Sequence, residues 1–359
     1  NFNYDLYNIQ ISDDKDFDAI IFDETVIAKR YKIETKLSEN ITYYWRVRGK
    51  NLYSDDEYSD WIIKSKFSVD NSSIKFFNYN IIDLAYYDLP YTGYDNVNIE
   101  DYETDEDGII IFIYNEQTFY NPVRIAQLSL KLIDNFIRTR NSEYLDIAIK
   151  HFNKLIELSV EEEDNLFFPY NFYFALHGYS DELMVAPWYS GMAQGQILSL
   201  ASRLAIITEK ENYYKYAEKI YNSIINIRGE NTSKIWTSFI DENNFFWISE
   251  YPDEDDKNFT LNGFIYAIYG LYDYYILLCD NENRSLKLNV KNNLDKAIST
   301  IEYYIESFRV PNEISYYCLK HKVQSGKYHS IHIKQLKQLY LMTQEKYFLE
   351  MSSLFSTDY

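Results

Sequence analysis

The chain has 359 residues, of which 46% are hydrophobic and 25% charged, a balance typical of a globular protein with room for two domains. Its formal net charge of -20 excludes a general nucleic-acid or membrane-surface binder, because those surfaces are themselves anionic. The same charge would repel an acidic substrate, so that such a substrate would need a local cationic pocket.

Residues 1–69 are predicted to be rich in β-strands. Apolar and polar residues alternate over residues 4–12, 43–48 and 61–67, which is the pattern of half-buried strands. The string Tyr43-Tyr-Trp-Arg-Val-Arg48, followed by Ser59-Asp-Trp61, resembles a fibronectin type III module, which is a β-sandwich. The first strands of that fold have no counterpart, so the module is expected to be incomplete and the natural protein to begin before residue 1.

Residues 70–80 are predicted to form a linker, and residues 81–120 a short β-rich lead-in to the next domain. The acidic run at 101–107 could bind calcium through carboxylate oxygens. It lacks the spacing of an EF-hand loop, so a solvated loop is favoured. The apolar run at 108–113 then predicts a strand.

Residues 121–359 follow a helical period. Asn121 and Pro122 suit an N-cap and a first helical turn. Similar helix starts recur near Tyr144, Tyr213 and Tyr347, and further helices are predicted near 190–207, 260–279, 290–307 and 328–342. About eight helices in pairs favour an α/α toroid. The long connections at 161–189, 229–259 and 309–327 are where a site is expected, because long loops on a rigid scaffold commonly carry function.

Residues suited to proton transfer concentrate near the C-terminus and at one earlier loop. Tyr317, Lys320 and Tyr328 lie close together in the sequence, and Glu250-Tyr-Pro252 precedes them. Tyrosine has an ordinary pKa near 10, so it needs neighbouring charge to act as a base at neutral pH. Taken singly, these residues have plainer interpretations: Tyr251 as a loop aromatic, Glu250 as a surface charge, and 191–196 as helix packing.

Six short strings occur in an order that carries a family resemblance. They are Ser190-Gly-Met-Ala-Gln-Gly-Gln196, Glu250-Tyr-Pro252, Leu261-Asn-Gly-Phe264, Gly270-Leu-Tyr-Asp273, Tyr317-Cys-Leu-Lys-His321 and Tyr328-His-Ser-Ile-His-Ile-Lys-Gln-Leu336. Together they resemble the C-terminal catalytic domain of D-glucuronyl C5-epimerases, which convert glucuronate to iduronate within heparosan. The resemblance covers about residues 81–355. The N-terminal module does not match the animal enzymes, so contacts made by that part of the family do not carry over.

The resemblance implies catalytic roles for four residues. Tyr251 would act on one face of the sugar, Tyr317 supported by Tyr328 on the other, and Glu250 would orient its neighbours. Lys320 stands where the family has an arginine, so it would hold the substrate carboxylate as a point charge without the bidentate fork. The remaining candidates for substrate binding are His329, Arg124, Gln194 and Asn262.

No cofactor and no metal are implied, and the substrate would be an acidic, uronate-containing polysaccharide. A zinc site at His321, His329 and His332 is disfavoured because a fourth ligand is unclear. The two cysteines, Cys279 and Cys318, show neither a disulfide framework nor a metal-ligand spacing. No apolar run reaches the roughly 18 residues of a membrane span. A homodimer is possible by analogy, and an extracellular or cell-surface location is expected.

Three alternatives stay open from the sequence. A polysaccharide lyase would share proton abstraction at C5 and then expel the 4-linked sugar. A non-catalytic glycan-binding protein is compatible with Lys320 and with the appended module. A glycoside hydrolase would need a carboxylate pair, for which the acidic run at 253–256 is the one candidate, and that run is more typical of a solvated loop.

Overall fold

In the computed structural model, the described residues are 4–27, 33, 35, 37, 41–51, 57–68, 74–179, 182–229, 234–253, 258–279 and 283–359. The chain divides into two compact units, Asn1–Ser73 and Ile74–Tyr359. Within the ranges just given, no helix is long and apolar enough to cross a membrane.

The first unit contains a four-stranded antiparallel sheet. Its strands are β1 (Leu6–Ser12), β2 (Phe22–Val26), β3 (Thr42–Lys50) and β4 (Ile63–Ser68), in the order β2-β1-β3-β4. Ile11, Phe22 and Tyr43 form its small core, as the alternating pattern requires. The three strands predicted from alternation are therefore confirmed. The described residues of this unit contain one sheet, and the fibronectin type III assignment stays a prediction.

The second unit is built from eight α-helices in its described part. They are α1 (Pro122–Thr139), α2 (Ser142–Leu158), α3 (Gly191–Thr208), α4 (Glu211–Ile225), α5 (Leu261–Leu277), α6 (Arg284–Phe308), α7 (Gly326–Thr343) and α8 (Lys346–Asp358). Consecutive helices pack as pairs, and α3 also packs on α1 and α5, while α5 packs on α7. The odd-numbered helices thus form an inner layer and the even-numbered helices an outer one. This is the layering of an α/α toroid, and the predicted helix pairs are confirmed.

The inner helices α3 and α5 approach closely because small residues face one another. A β-carbon added at Gly195 would collide with Ala267, and one added at Gly270 would collide with the backbone of Gly195. Both helices are buried on nearly every side, which explains why neither shows a clear polar stripe. The predicted packing role of small residues at 191–196 therefore holds for Gly195.

The residues before α1 differ from their prediction. The amide of Lys75 donates to Asn244 O at 2.8 Å and that of Phe77 to Ser299 Oγ at 2.7 Å. Within the predicted linker 70–80, residues 74–80 are therefore bound to the helical unit, and 70–73 lies outside the described residues. The lead-in at 81–120 contains one strand pair, β5 (Phe112–Tyr114) with β6 (Gln117–Phe119), and two short 3-10 helices. It is less β-rich than expected because most of its backbone hydrogen bonds go to turns and to side chains of the helices.

Asp105, inside the acidic run at 101–107, closes a turn. Its carboxylate accepts the amides of Asp107 and Ile109 at 3.0 and 2.8 Å and the hydroxyl of Tyr120 at 2.5 Å. These bonds already use both carboxylate oxygens, in keeping with the favoured interpretation of a loop.

Three short strand hairpins lie in the connections before α3 and α5. They are β7 (Val160–Glu162) with β8 (Asn165–Phe167), β9 (Phe174–Ala175) with β10 (Leu183–Met184), and β11 (Ser238–Ile240) with β12 (Phe246–Ile248). β12 ends two residues before Glu250, and the segment before α7 contains Tyr317.

Candidate active site

A cavity of about 650 Å³ lies in the second unit. Residues of α1, α3, α5 and α7 contribute to its lining, with Lys327 in the first turn of α7, and so do the connections before α3 and α5, through Tyr170 and Glu250. One wall is aromatic: the rings of Tyr170 and Trp188 stack with centroids 3.9 Å apart, and Trp188 also contacts Tyr251 at 6.0 Å. Flat apolar rings with polar tips suit the face of a sugar.

Glu250 is the buried acid of this cavity, with 7% of its surface exposed. Tyr317 donates its hydroxyl to Glu250 Oε2 at 3.2 Å. Gly263, in the first turn of α5, leaves room for the carboxylate, because a β-carbon there would collide with it. Burial raises the pKa of the Glu250 carboxyl to about 7, against hydrogen bonds from Tyr251, Tyr317 and the Gly263 amide that favour the charged form. Near neutral pH this group can therefore both accept and release a proton.

The predicted catalytic tyrosines Tyr251 and Tyr317 are brought together as a hydrogen-bonded pair. Their hydroxyl oxygens are 3.3 Å apart. Burial and the neighbouring Glu250 charge raise the pKa of both phenols well above the ordinary value. Groups that attack opposite faces of one carbon each need to approach it to about 3 Å, so they must stand about 6 Å apart. In this arrangement no sugar ring fits between the two hydroxyls.

Tyr328 occupies the first turn of α7 and is half-buried. Its ring lies 4.4 Å from that of Tyr317, centroid to centroid, and it lines the cavity together with Tyr251 and Glu250. Tyr317, which is 4% exposed, is not among the residues that line this cavity. Tyr328 and Tyr251 are therefore the two tyrosines of the predicted set that border the cavity directly.

Three cations line the same cavity: Arg124, Lys131 and Lys327. Arg124 and Lys131 are seven residues apart on α1 and so share one helix face. Asn121 caps this helix by accepting the Arg124 amide, and the Arg124 guanidinium lies 4.5 Å from the centre of the Phe112 ring. Among the described lining residues, Glu250 is the one acidic side chain. The site is thus locally cationic in a chain of net charge -20.

Three of the predicted binding residues lie elsewhere. Lys320 forms an ion pair with Glu182 at 2.6 Å. His329 is buried, accepting the amide of Ser315 at 3.0 Å and contacting Phe355 O at 3.0 Å through its other ring nitrogen. Gln194 donates to Leu166 O and accepts the amide of Phe168, so its amide holds a loop in place. None of the three is among the residues that line this cavity.

The sequence reasoning missed Gln196, Lys131 and Lys327. Gln196 borders the cavity, and its side-chain amide has no hydrogen-bond partner among the residues described; the same holds for Oδ1 of Asn262, which was predicted. Gln194 and Gln196 point about 200° apart on a helix, so only one of them could face the site, and the string alone did not say which. Gln196, whose buried amide has no partner among the described residues, is the one that lines the cavity.

The three C-terminal histidines do not form one cluster. His332 and His329 both contact Ser315 Oγ at 2.9 Å, whereas His321 contacts Glu182 at 2.6 Å. The alternative of a zinc site formed by these three histidines is therefore wrong. Of the acidic run considered for hydrolysis, 254–256 lies outside the described residues.

The raised pKa of Glu250 has a consequence for stability. The carboxyl binds its proton more tightly in the folded chain than at its ordinary pKa of 4.5. Its contribution to the free energy of unfolding is therefore fully present below pH 4.5 and is lost as pH rises through 7. The loss amounts to about 3 kcal/mol. Glu250→Gln is expected to be more stable than the wild type at pH 8 by up to that amount, and equal at pH 4.5. Urea unfolding at both pH values checks this, and equal stability at pH 8 would contradict it.

Comparisons with known proteins point to one family. The family model described as the D-glucuronyl C5-epimerase C-terminus matches residues 162–357. The chain is similar to the D-glucuronyl C5-epimerase of Caenorhabditis elegans, with 31% identity over 119 residues that cover 31% of this chain and 17% of that protein. It therefore matches only a small part of the length of this curated relative.

Two solved structures show a distant likeness. A cellobiose 2-epimerase from Bacillus thermoamylovorans is 15% identical with a TM-score of 0.45, over 66% of this chain and 58% of that one. A GH76 α-mannanase from Bacteroides thetaiotaomicron is 13% identical with a TM-score of 0.43, over 66% and 56%. The family match is the stronger finding, because it spans more than half of the chain and contains Glu250, Tyr251, Tyr317 and Tyr328. This chain belongs to the D-glucuronyl C5-epimerase family.

Proposed function

We propose that this protein is a carbohydrate epimerase that inverts C5 of D-glucuronate to L-iduronate within a heparosan-like acidic polysaccharide. The observation that carries the proposal is Glu250, a buried carboxyl with a pKa near 7 that is bonded to tyrosine at the wall of a cation-lined cavity. Family membership supports the same reaction.

The reaction needs a base that removes the C5 proton. The best general base has a pKa near the working pH, and Glu250 meets this condition, whereas the phenols of Tyr251 and Tyr317 do not. We therefore assign proton removal to Glu250, with the hydroxyls of Tyr251 and Tyr317 holding its carboxylate in place. This revises the expected division of the two faces between Tyr251 and Tyr317.

The reaction also needs a donor that returns a proton to the other face. Tyr328 is suited to this role because it lines the cavity from α7, a different element from the one that carries Glu250. Burial, and to a lesser extent the Glu250 charge, raise the pKa of the Tyr328 phenol, so the phenol is protonated at neutral pH and can donate a proton. In the reverse direction the two groups would exchange roles.

The intermediate carries extra negative charge on the uronate carboxylate. Cations beside that charge stabilise the transition state. Arg124, Lys131 and Lys327 supply this charge in place of the expected Lys320, which is already paired with Glu182. The side-chain amide of Gln196 and Oδ1 of Asn262, which have no hydrogen-bond partner among the described residues, are suited to sugar hydroxyls.

Product analysis tests the proposed reaction against its nearest rival. The chain is incubated with heparosan, and the polymer is then examined for chain length, for iduronate content and for unsaturated, ultraviolet-absorbing ends. Iduronate in chains of unchanged length supports the epimerase. Shorter chains with unsaturated ends would show a lyase, and unchanged polymer that stays bound would show a glycan-binding protein.

Removing the cavity cations is expected to weaken substrate binding. Arg124→Gln, Lys131→Gln and Lys327→Gln should each raise KM about 3- to 10-fold, since each removes about 1 kcal/mol of partly screened attraction. The salt dependence of KM should become shallower in each variant. Lys215→Gln, at an exposed lysine of α4 paired with Glu211, is the control and should leave KM unchanged. Unchanged KM in all three cavity variants would remove them from the site.

A further inference from the structure

A second cluster of reactive side chains lies outside the cavity lining, beside Tyr317. Cys318 Sγ is 3.4 Å from Nε2 of His177 and 3.4 Å from Nδ1 of His321. The three ligand atoms all lie within 4.8 Å of one another. Nothing in the reaction proposed above uses them.

The fold brings these residues together from two separate connections. His177 belongs to a short 3-10 turn, Leu176–Gly178, between β9 and β10. Cys318 is fully buried, its segment is bridged to Thr260, and the chain then turns so that His321 comes back to the thiol. The sequence shows no metal-ligand spacing at the cysteines because such a spacing joins residues that are neighbours along the chain. His177 and Cys318 are 141 positions apart, so only the fold brings them together.

The outer contacts of the cluster also fit a metal ligand set. The remaining nitrogen of His321, Nε2, is 2.6 Å from Glu182 Oε1, and Lys320 holds the same carboxylate at 2.6 Å. A metal-binding histidine commonly donates its other ring N–H to a carboxylate, which fixes the tautomer and turns the free nitrogen toward the ion. Here that free nitrogen is Nδ1, which faces Cys318.

We propose that His177 Nε2, Cys318 Sγ and His321 Nδ1 bind one zinc ion, with the fourth position taken by solvent. Zinc bonds of about 2.3 Å to sulfur and 2.0 Å to nitrogen in a tetrahedron put those ligand atoms about 3.5 Å apart, close to the sulfur-to-nitrogen distances found here. On binding, the thiol proton of Cys318 passes to solvent, and the thiolate and two neutral imidazoles hold the ion.

The bound zinc would hold residues in position and would take no part in the reaction itself. Cys318 directly follows Tyr317, and the ring of His177 lies 5.3 Å from that of Tyr317. An ion joining the 3-10 turn to this segment would therefore fix Tyr317, whose hydroxyl bonds Glu250 and Tyr251. None of the three ligands is among the residues that line the cavity, so the ion does not meet the substrate.

Cobalt is the probe that reports the ligands without any measurement of activity. Titration of the metal-stripped full chain with Co²⁺ is expected to give a thiolate-to-cobalt charge-transfer band that saturates at one equivalent and is displaced by Zn²⁺. Cys318→Ser should lose the band, and His177→Gln should weaken binding at least 10-fold. Cys279→Ser, at the exposed cysteine, is the matched control and should keep the band unchanged.

Folding is checked separately by circular dichroism of each variant without metal. A His321→Gln variant that is folded and retains the band would contradict the assignment, as would a wild-type chain that shows no charge-transfer band at one equivalent. The band in folded Cys318→Ser would place the metal elsewhere and overturn the proposal. Zinc raising the Tm of the wild type but not that of Cys318→Ser completes the expected pattern.

Discussion

Tyr328→Phe is expected to separate proton exchange from inversion. If Glu250 removes the C5 proton and Tyr328 returns one to the opposite face, the variant can still remove the proton and return a solvent proton to the same face. In heavy water, deuterium should then enter C5 of glucuronate at a rate within about 10-fold of the wild type, while iduronate formation falls about 10²- to 10⁴-fold, the range that one acid-base group contributes. Proton NMR of the polymer measures both.

Two further tyrosine variants serve for comparison, one on the same helix and one beside Glu250. Tyr340→Phe, further along α7 and away from the cavity lining, should keep both rates. Tyr317→Phe removes a bond to Glu250 and should lower exchange and inversion together, because it disturbs the base. Normal iduronate formation by Tyr328→Phe would show that another group returns the proton.

Glu250→Gln is expected to lower exchange and inversion together, by about 10³-fold or more in kcat/KM. The amide keeps the size of the carboxyl and can still accept the Tyr317 hydroxyl, but it cannot take a proton. In the wild type, kcat/KM should rise with pH through about 7, because Glu250 must lose its proton to act as a base. The residual activity of the variant should not show this rise with pH.

This pH profile runs opposite to the stability profile of the same group. Between pH 5 and 8 the wild type should gain activity while losing stability, and Glu250→Gln should lose activity while gaining stability at pH 8. A destabilised Glu250→Gln would suggest a structural carboxylate instead of a base. Glu157→Gln, at an exposed carboxylate of α2, is the control and should change neither profile.

The helical architecture could be predicted because its signals are local. The Asn121 cap and the helix starts near Tyr144 and Tyr213 each mark one helix from a few adjacent residues. The linker prediction is wrong for 74–80 because its hydrogen bonds go to Asn244 and Ser299, far along the chain. Polar composition predicts a linker unless such partners are known.

The site could be predicted in part. The ordered strings contain Glu250, Tyr251, Asn262 and Tyr328, which line the cavity, and Arg124, predicted as a binding residue outside those strings, lines it too. Lys320 was chosen by position in a string, but Glu182, from a distant hairpin, pairs with it. Lys131 and Lys327 resemble ordinary surface lysines in the sequence. Their convergence depends on α1 and α7 both bordering the cavity, which only the tertiary structure shows.

Proton NMR of heparosan treated with the wild-type chain in heavy water tests the central claim most directly. The account predicts deuterium at C5 of the uronates together with iduronate signals, and neither signal with Glu250→Gln. Iduronate that forms without deuterium at C5, or a Glu250→Gln variant that still gives deuterated iduronate at the wild-type rate, would contradict it.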